Sequence, residues 1–506
     1  MTQHVTVSLS GGKVRGVRHD EHLSFMAIPY AAPPSGDRRW RAPVTVEPWE
    51  GVRDATEPGR PAPQLARSFA DVTSLDEDCL TVDVTVPAAE RTENTPRPVV
   101  VWLHGGGGTN GSPSECDPHR LAITGDVIVV APRFRLGVFG CFGYPGLPGS
   151  GTFGLQDQQA ALRWVRDEIA RFGGDPGNVT LMGESYGAQT VAAHLCAPAS
   201  KDLFHRAIVQ SAFALLGPTP ANTLIPGVPA LPPRWTPVAE LERFGAEAAV
   251  ANGWVSSSAD PMSAMAALRK VPSEELLAGS GDFIRPAFGD GGVLPRDPAA
   301  VMREGNFHRV PVLLGTTRDE ARFFVGLFAD LAGNPVTAER YPRLLAEAFG
   351  EHADEVAARY PLTDYPSPSL AMAQVSTDRA WARPAWELAL ALAAHTRTWF
   401  YEFADTGAPA LLPLPGFPSG AQHGSELGYQ FDLAGGGPAL SAEQRELGEA
   451  MNRYWAAFAA NGDPATPGLP VWPESGTGHV QSLAPRAIGG TDYVARHQLG
   501  FWEHLP

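Results

Sequence analysis

Residues 179–196 read VTLMGESYGAQTVAAHLC, from Val179 to Cys196. Four apolar-rich residues (179–182) have the character of a buried strand, and 186–196 reads as a helix. Between them Gly183-Glu184-Ser185-Tyr186-Gly187 matches G-x-S-x-G. The motif alone is weak, but a strand before it and a helix after it make a strand–turn–helix elbow. Such a turn strains the serine backbone, and glycines on either side let strand and helix approach without a Cβ clash. The hydroxyl is lifted clear of the sheet, and the helix N-terminus favours developing negative charge. Ser185 is therefore the candidate nucleophile. The bland alternative is an ordinary strand-to-helix turn.

Working outward, 99–103 (VVVWL) and 126–131 (DVIVVA) are continuous apolar runs suited to strands buried on both faces. Residues 155–172 carry apolar positions near a 3.6 period, and Gly173-Gly174 stops that helix. Strands follow at 207–210, 310–314 and 398–403, and a long helix at about 441–460. Strands alternating with helices predict an α/β fold, a mostly parallel central sheet with helices on both faces. Residues 5–9 and 13–17 alternate around Ser10-Gly11-Gly12, which predicts a small N-terminal antiparallel hairpin. Residues 25–65, rich in Pro and Gly, read as irregular. Residues 218–305 read as loop with short helices at 238–251 and 261–270, and 320–396 as mainly helical. The expectation is one catalytic unit over 1–506 with helical insertions from about 218 to 397 roofing its site.

The chain has 506 residues, 43% hydrophobic and 19% charged, with Lys+Arg 39 against Asp+Glu 55 and a net charge of −16. That composition supports a large core and excludes disorder as the main state. The acidic balance argues against nucleic acid and membrane surfaces as partners. Cys79, Cys116, Cys141 and Cys196 form no CxxC, so a zinc ribbon and a dithiol redox site are excluded. No signal peptide is visible and no run reaches the ~18 apolar residues of a transmembrane span. The expected location is cytoplasmic, with secretion left open.

An activated serine needs an imidazole base oriented by a carboxylate. In strand–turn–helix hydrolases the order is Ser, then Asp or Glu, then His, each after a strand. The strand at 310–314 runs into Gly315-Thr316-Thr317-Arg318-Asp319-Glu320, and either carboxylate fits. Of the later histidines, His423 alone sits in a flexible loop directly after the strand at 398–403. After the strand at 99–103, His104-Gly105-Gly106-Gly107-Gly108 offers side-chain-free backbone. With the N–H of Tyr186 it would hold an oxyanion, at about 3 kcal/mol per donor. Gly106, Gly108 and Gly111, and again Gly149, Gly151 and Gly154, also satisfy GxGxxG. Neither stands between a strand and a helix with an acid ending the next strand, so a dinucleotide cofactor is not expected.

These residues resemble the type B carboxylesterase family of α/β hydrolases. The resemblance spans nearly the whole chain: EDCL at 77–80, HGGG at 104–107, RLG at 135–137, GLQDQQAALRWV, FGGDPGNVT at 172–180, GESYG, RDEA at 318–321 and HGSEL at 423–427. It implies an α/β-hydrolase fold with Ser185 as nucleophile, Glu320 as acid in preference to Asp319, and His423 as base. It further implies an oxyanion hole from Gly106, Gly107 and Tyr186, supporting positions at Glu184, Ser211 and Asp378, and ion pairs Arg41–Glu77 and Arg135–Asp175. Three positions depart from the family. Gly108 replaces an aromatic residue, Tyr186 an alanine, and Arg133-Phe134 an Asn-Tyr pair. Gly108 and Tyr186 border the expected acyl site. Cys79 lacks the upstream cysteine with which many secreted members pair theirs, in keeping with a reducing compartment.

The implied activity is hydrolysis of carboxylic esters of small to medium, largely apolar substrates through an acyl-enzyme, with no metal and no cofactor. Carbamate or amide hydrolysis by the same mechanism, and a non-catalytic binding protein of the same fold, are the alternatives. Phe283, Phe288, Phe323, Phe324 and Trp381, with Gly108, are candidates for the substrate wall. Ordinary core packing is the competing reading for each aromatic. The expected partner is a small-molecule ester, and the expected state a monomer or weak homo-oligomer.

Overall fold

The computed structural model describes residues 3–67, 72–89, 95–216, 224–228, 234–279, 283–289, 292–411, 413, 416–435 and 439–505. The expected start of the insertions near 218 lies outside them. The described chain builds a 13-stranded sheet. In chain order its strands are β1 (Gln3–Ser8), β2 (Lys13–Arg18), β3 (His22–Pro29), β4 (Val52–Asp54), β5 (Thr81–Pro87), β6 (Arg97–Leu103), β7 (Ile128–Pro132), β8 (Gly174–Glu184), β9 (Arg206–Gln210), β10 (Val312–Thr317), β11 (Thr398–Phe403), β12 (Gln481–Leu483) and β13 (Gly489–Gly490). The spatial order is β1-β2-β3-β5-β7-β6-β8-β9-β10-β11-β12-β13, with β4 beside β2. From β7 to β12 every pairing is parallel, and β1, β2, β3, β5 and β7 pair antiparallel. The hairpin falls where the alternation of 5–9 and 13–17 puts it.

Alternate residues of the central strands serve opposite layers, as the two-residue repeat of a strand requires. Val99, Val101, Leu181, Val209 and Leu314 enter a core covered by the helices Phe153–Glu168 and Tyr186–Cys196. Val100, Trp102, Met182, Ile208 and Leu313 enter a second core covered by the helix Ala442–Asn461. Each fully buried aliphatic side chain contributes about 1.5–3 kcal/mol, so the strands that carry the site are among the best-anchored backbone. A Ser441/Gln444 capping box starts the long helix, and Gly462 in the left-handed region ends it. A third cluster, including Val325, Tyr341, Phe349, Tyr360, Trp381 and Trp502, packs the segment 321–382 against the C-terminus. Two turns of π-helix, Gly326–Asp330 and Asp378–Ala382, interrupt its helices.

The irregular reading of 25–65 is corrected at its start, because β3 runs through His22–Pro29. Its register shifts between Phe25 and Ile28, Ala27 takes φ 57°, and the Ala27 N–H donates to Asp83 at 2.8 Å. That bulge breaks the apolar alternation from which a strand is read.

Candidate active site

The elbow at the end of β8 fixes Ser185 in backbone geometry that few residues adopt, φ 54° and ψ −117°. Such a conformation costs about 1–3 kcal/mol and persists only where its surroundings enforce it. Here they do. The Ser185 N–H donates to Gln210 O at 2.9 Å, and Ser185 O accepts from Gln189 N–H at 3.0 Å. A Cβ on Gly187 would stand 2.0 Å from Leu103 O, and one on Gly183 would stand 2.5 Å from Gly187 C. Only glycine permits this approach of helix to strand.

His423 Nε2 lies 2.9 Å from Ser185 Oγ, and its Nδ1 lies 2.5 Å from Glu320 Oε2. Glu320 follows β10 and is fully buried, and its other oxygen accepts from Thr317 N–H at 2.9 Å. Asp319 is engaged elsewhere: it accepts from Ala421 N–H at 3.0 Å and pairs with Arg322 at 2.9 Å. The spacing of the two carboxylates left the choice open; in space Glu320 meets the imidazole.

Two more carboxylates close around this ring. Glu184 Oε1 stands 3.2 Å from His423 Nε2. Glu426 is wholly buried, with no hydrogen-bond partner on either oxygen among the described residues. Burial pushes the Glu184 carboxyl up to about 7; His423 opposes this and Glu320 adds to it. Burial, then Glu184 and Glu320, push Glu426 up to about 8. Burial favours neutral His423, but Glu320, Glu184 and Glu426 outweigh it and lift the imidazole to about 9.

The loop after β6 bends over the hydroxyl. A Cβ on Gly105 would lie 3.2 Å from Ser185 Cβ, and Gly106 and Gly107 take φ 101° and 65°. Among the described residues no protein acceptor takes the N–H groups of Gly106, Gly107 or Tyr186. Gly106 O accepts from Thr109 and Asn110, and Gln64 accepts from Gly111 N–H at 3.0 Å, which holds the loop in place. Gly108 lies under the Tyr186 ring, where a Cβ would stand 2.7 Å from a ring carbon. The two departures are thus one exchange of volume: the Tyr186 ring occupies the space a side chain at 108 would need. The Tyr186 hydroxyl lies 3.6 Å from Cys141 Sγ.

A cavity of about 740 Å³ opens over Ser185 and His423, walled by Phe213, Phe323, Phe324, Leu327, Phe328 and Trp381 among others. Phe323, Phe324 and Trp381 therefore stand where the wall was expected. Gly108 is covered by Tyr186. Phe283 is buried against Phe142 and Phe244, and Phe288 packs on the main core, so neither lines the cavity. A larger cleft of about 1260 Å³ adjoins at Leu411 and Leu427 but contains none of Ser185, His423 and Glu320.

Ser211 is buried just beyond β9; its N–H donates to Gly315 O at 2.8 Å, and its hydroxyl has no partner among the described residues. Asp378 makes no hydrogen bond to Ser185, His423 or Glu320. It holds His497 at 2.6 Å, Tyr360 at 2.8 Å and Gln374 at 2.7 Å. Both expected ion pairs are corrected. Glu77 pairs with Arg39, at 2.5 and 2.9 Å, while Arg41 offers its carbonyl to Arg135. Arg135 pairs with Asp157, twice at 2.7 Å, while Asp175 accepts from Gly177 N–H. Trp40, between the two arginines, has φ 55°, so counting along the chain does not give the face each presents.

Sequence reasoning passed over Glu426, Gln189, Phe213, Arg234 and His497. Only Glu426 carried a signal, three residues after His423 in HGSEL.

A hydroxyl, imidazole and carboxylate in sequence, beneath a glycine loop and beside an apolar cavity, define a serine hydrolase fold and site. The model of the carboxylesterase family matches residues 2–502, and the chain belongs to that family. It is a serine hydrolase of carboxylic esters. Cocaine esterase of Oryctolagus cuniculus is 33% identical over 95% of this chain and 91% of its own. Para-nitrobenzyl esterase of Bacillus subtilis (strain 168) is 33% identical over 93% and 92%, and pyrethroid hydrolase Ces2a of Mus musculus 32% identical over 95% and 86%.

Proposed function

We propose that Ser185, His423 and Glu320 carry out the hydrolysis through an acyl-enzyme, on small to medium, largely apolar esters. The observation that carries this reading is the single imidazole bonded at 2.5 Å to a carboxylate and at 2.9 Å to a hydroxyl that faces the cavity. His423 Nε2 takes the Ser185 proton as Oγ attacks the ester carbonyl. The carbonyl oxygen becomes an anion held by the N–H groups of Gly106, Gly107 and Tyr186. On collapse the imidazolium gives its proton to the leaving alkoxide, and the alcohol departs. Water, deprotonated by His423, then attacks the acyl carbonyl, and collapse returns the proton to Ser185 and releases the acid. Glu320 holds Nδ1 protonated and stabilises the imidazolium.

The aromatic wall supports an apolar substrate, and relatives named for cocaine, pyrethroids and para-nitrobenzyl esters support a roomy site. We read residues 1–506 as one catalytic unit whose segment from about 218 to 397 roofs the cavity, because Phe323, Phe324 and Trp381 come from it. Among the described residues no helix is long and apolar enough to cross a membrane. Four buried free cysteines support a reducing, cytoplasmic setting, in which we read the enzyme as a monomer or weak homo-oligomer. A series of p-nitrophenyl esters of increasing acyl length, run beside Ser185→Ala, tests the assignment. Turnover is expected to fall by about 10⁶ in the variant with its fold intact. Wild-type-like rates would reject it.

A further inference from the structure

We propose that Arg234 forms an anion-binding subsite in the cavity beside Ser185, suited to esters that carry a second, ionised carboxylate, such as half-esters of dicarboxylic acids. This rests on the reading of Ser185 as the nucleophile and narrows the substrate class of that site.

Arg234 is fixed to the catalytic frame at its backbone. Its carbonyl accepts from Gln189 Nε2 at 2.9 Å, and Gln189 lies one turn along the helix that Ser185 begins. Its guanidinium lies 4.6 Å over the Phe213 ring. Phe213 meets Trp381 edge-on at 4.5 Å, and Trp381 lies 6.3 Å from the His423 ring. Arg234, Phe213, Trp381 and His423 all line the one cavity.

The charge balance points to a ligand. Arg39, Arg133 and Arg135 are buried, and each is held by two bonds to its own carboxylate, Glu77, Asp83 and Asp157 respectively. Arg234 has none among the described residues, and its Nε is sealed from solvent without an acceptor. Burial, and then the nearby Arg285 guanidinium, lower its pKa to about 10, which leaves it cationic at neutral pH. Arg234 as a whole is half-buried, and the Phe213 face offsets only part of the cost of a cation with no carboxylate beside it. Glu184, the residue before the serine, faces His423 Nε2 at 3.2 Å. A substrate carboxylate at Arg234 would supply the missing charge and add charge-assisted hydrogen bonds. The protein's net charge of −16 does not draw anions in general, so the preference would be local to this wall.

The test compares kcat/KM within two matched pairs at fixed ionic strength. Mono-p-nitrophenyl glutarate against p-nitrophenyl pentanoate places the anion on the acyl side, and para-acetoxybenzoate against phenyl acetate places it on the alcohol side. In at least one pair the ionised-to-neutral ratio is expected to fall about 10- to 100-fold in Arg234→Gln and to recover in part in Arg234→Lys. Unchanged ratios in both pairs would overturn the subsite and leave ester hydrolysis standing. Absence of wild-type turnover on the neutral esters would overturn the hydrolase reading and the subsite with it. A second measurement needs no variant. Glutarate is expected to compete with p-nitrophenyl pentanoate in the wild type, and the neutral diamide of the same acid at equal concentration is not; equal inhibition by the two would overturn the subsite.

Discussion

Two buried imidazoles stand among carboxylates in this molecule, and in both the carboxylates outweigh burial and lift the pKa to about 9. His423 sits between Glu320 and Ser185, at the floor of the cavity. His497 sits between Asp378 at 2.6 Å and Glu402 at 2.7 Å, with Arg496 Nε 3.4 Å from the far oxygen of Glu402. With a carboxylate oxygen at each nitrogen, His497 is favoured as the imidazolium until pH rises through about 9. It ties the π-helical turn that carries Trp381 to strand β11 and to the C-terminal segment. His423 keeps one nitrogen for a hydroxyl that can give up a proton. A perturbed pKa therefore marks a functional site only where one partner is free to react.

Three substitutions break the comparison if it is wrong. His423→Gln is expected to cost about 10⁶ in turnover, as loss of the base in a serine triad does. Its stability cost should be modest, because Glu184 and Glu426, both already pushed up, can take the proton that restores the charge balance. His497→Gln is expected to do the opposite. Removing the centre of a buried ion cluster costs about 3–5 kcal/mol, while kcat/KM of the folded enzyme stays near wild type. Chemical denaturation and steady-state kinetics on both variants check the pair. The wild type should also be fully stabilised by His497 below pH 6.5, its unfolded value, and lose that contribution as pH rises through about 9. The Gln variant should lack this loss.

The smallest effect concerns pH. Activity needs neutral His423, so the acid limb of kcat/KM should lie above the ordinary imidazole value of 6.5. Glu184→Gln removes a negative charge 3.2 Å from Nε2, which should move that limb to lower pH. A limb that stays put or moves up would remove Glu184 from the set of charges that tune the base.

What could be read from the chain was local. The elbow, the helix Val238–Ala251 and the strand Thr398–Phe403 stand where periodicity and turn residues put them. Ser185 and His423 were reachable because each is announced by neighbouring glycines and a preceding strand. Glu320 against Asp319 was not, because adjacent residues differ only in which way the loop turns them. The pairs Arg39–Glu77 and Arg135–Asp157 depend on a left-handed residue at Trp40 and on long-range packing. Phe283 and Phe324 look alike in sequence; only the tertiary fold sends one into the core and the other to the cavity. Arg234 and His497 carry no local signal, since their meaning lies in what faces them.

The most direct test of the account is covalent labelling of the full chain with a fluorophosphonate, read by intact mass and peptide mapping. One adduct is expected, on Ser185, with loss of ester hydrolysis in proportion to labelling. An adduct on another residue, or hydrolysis that persists with Ser185 fully modified, would contradict it.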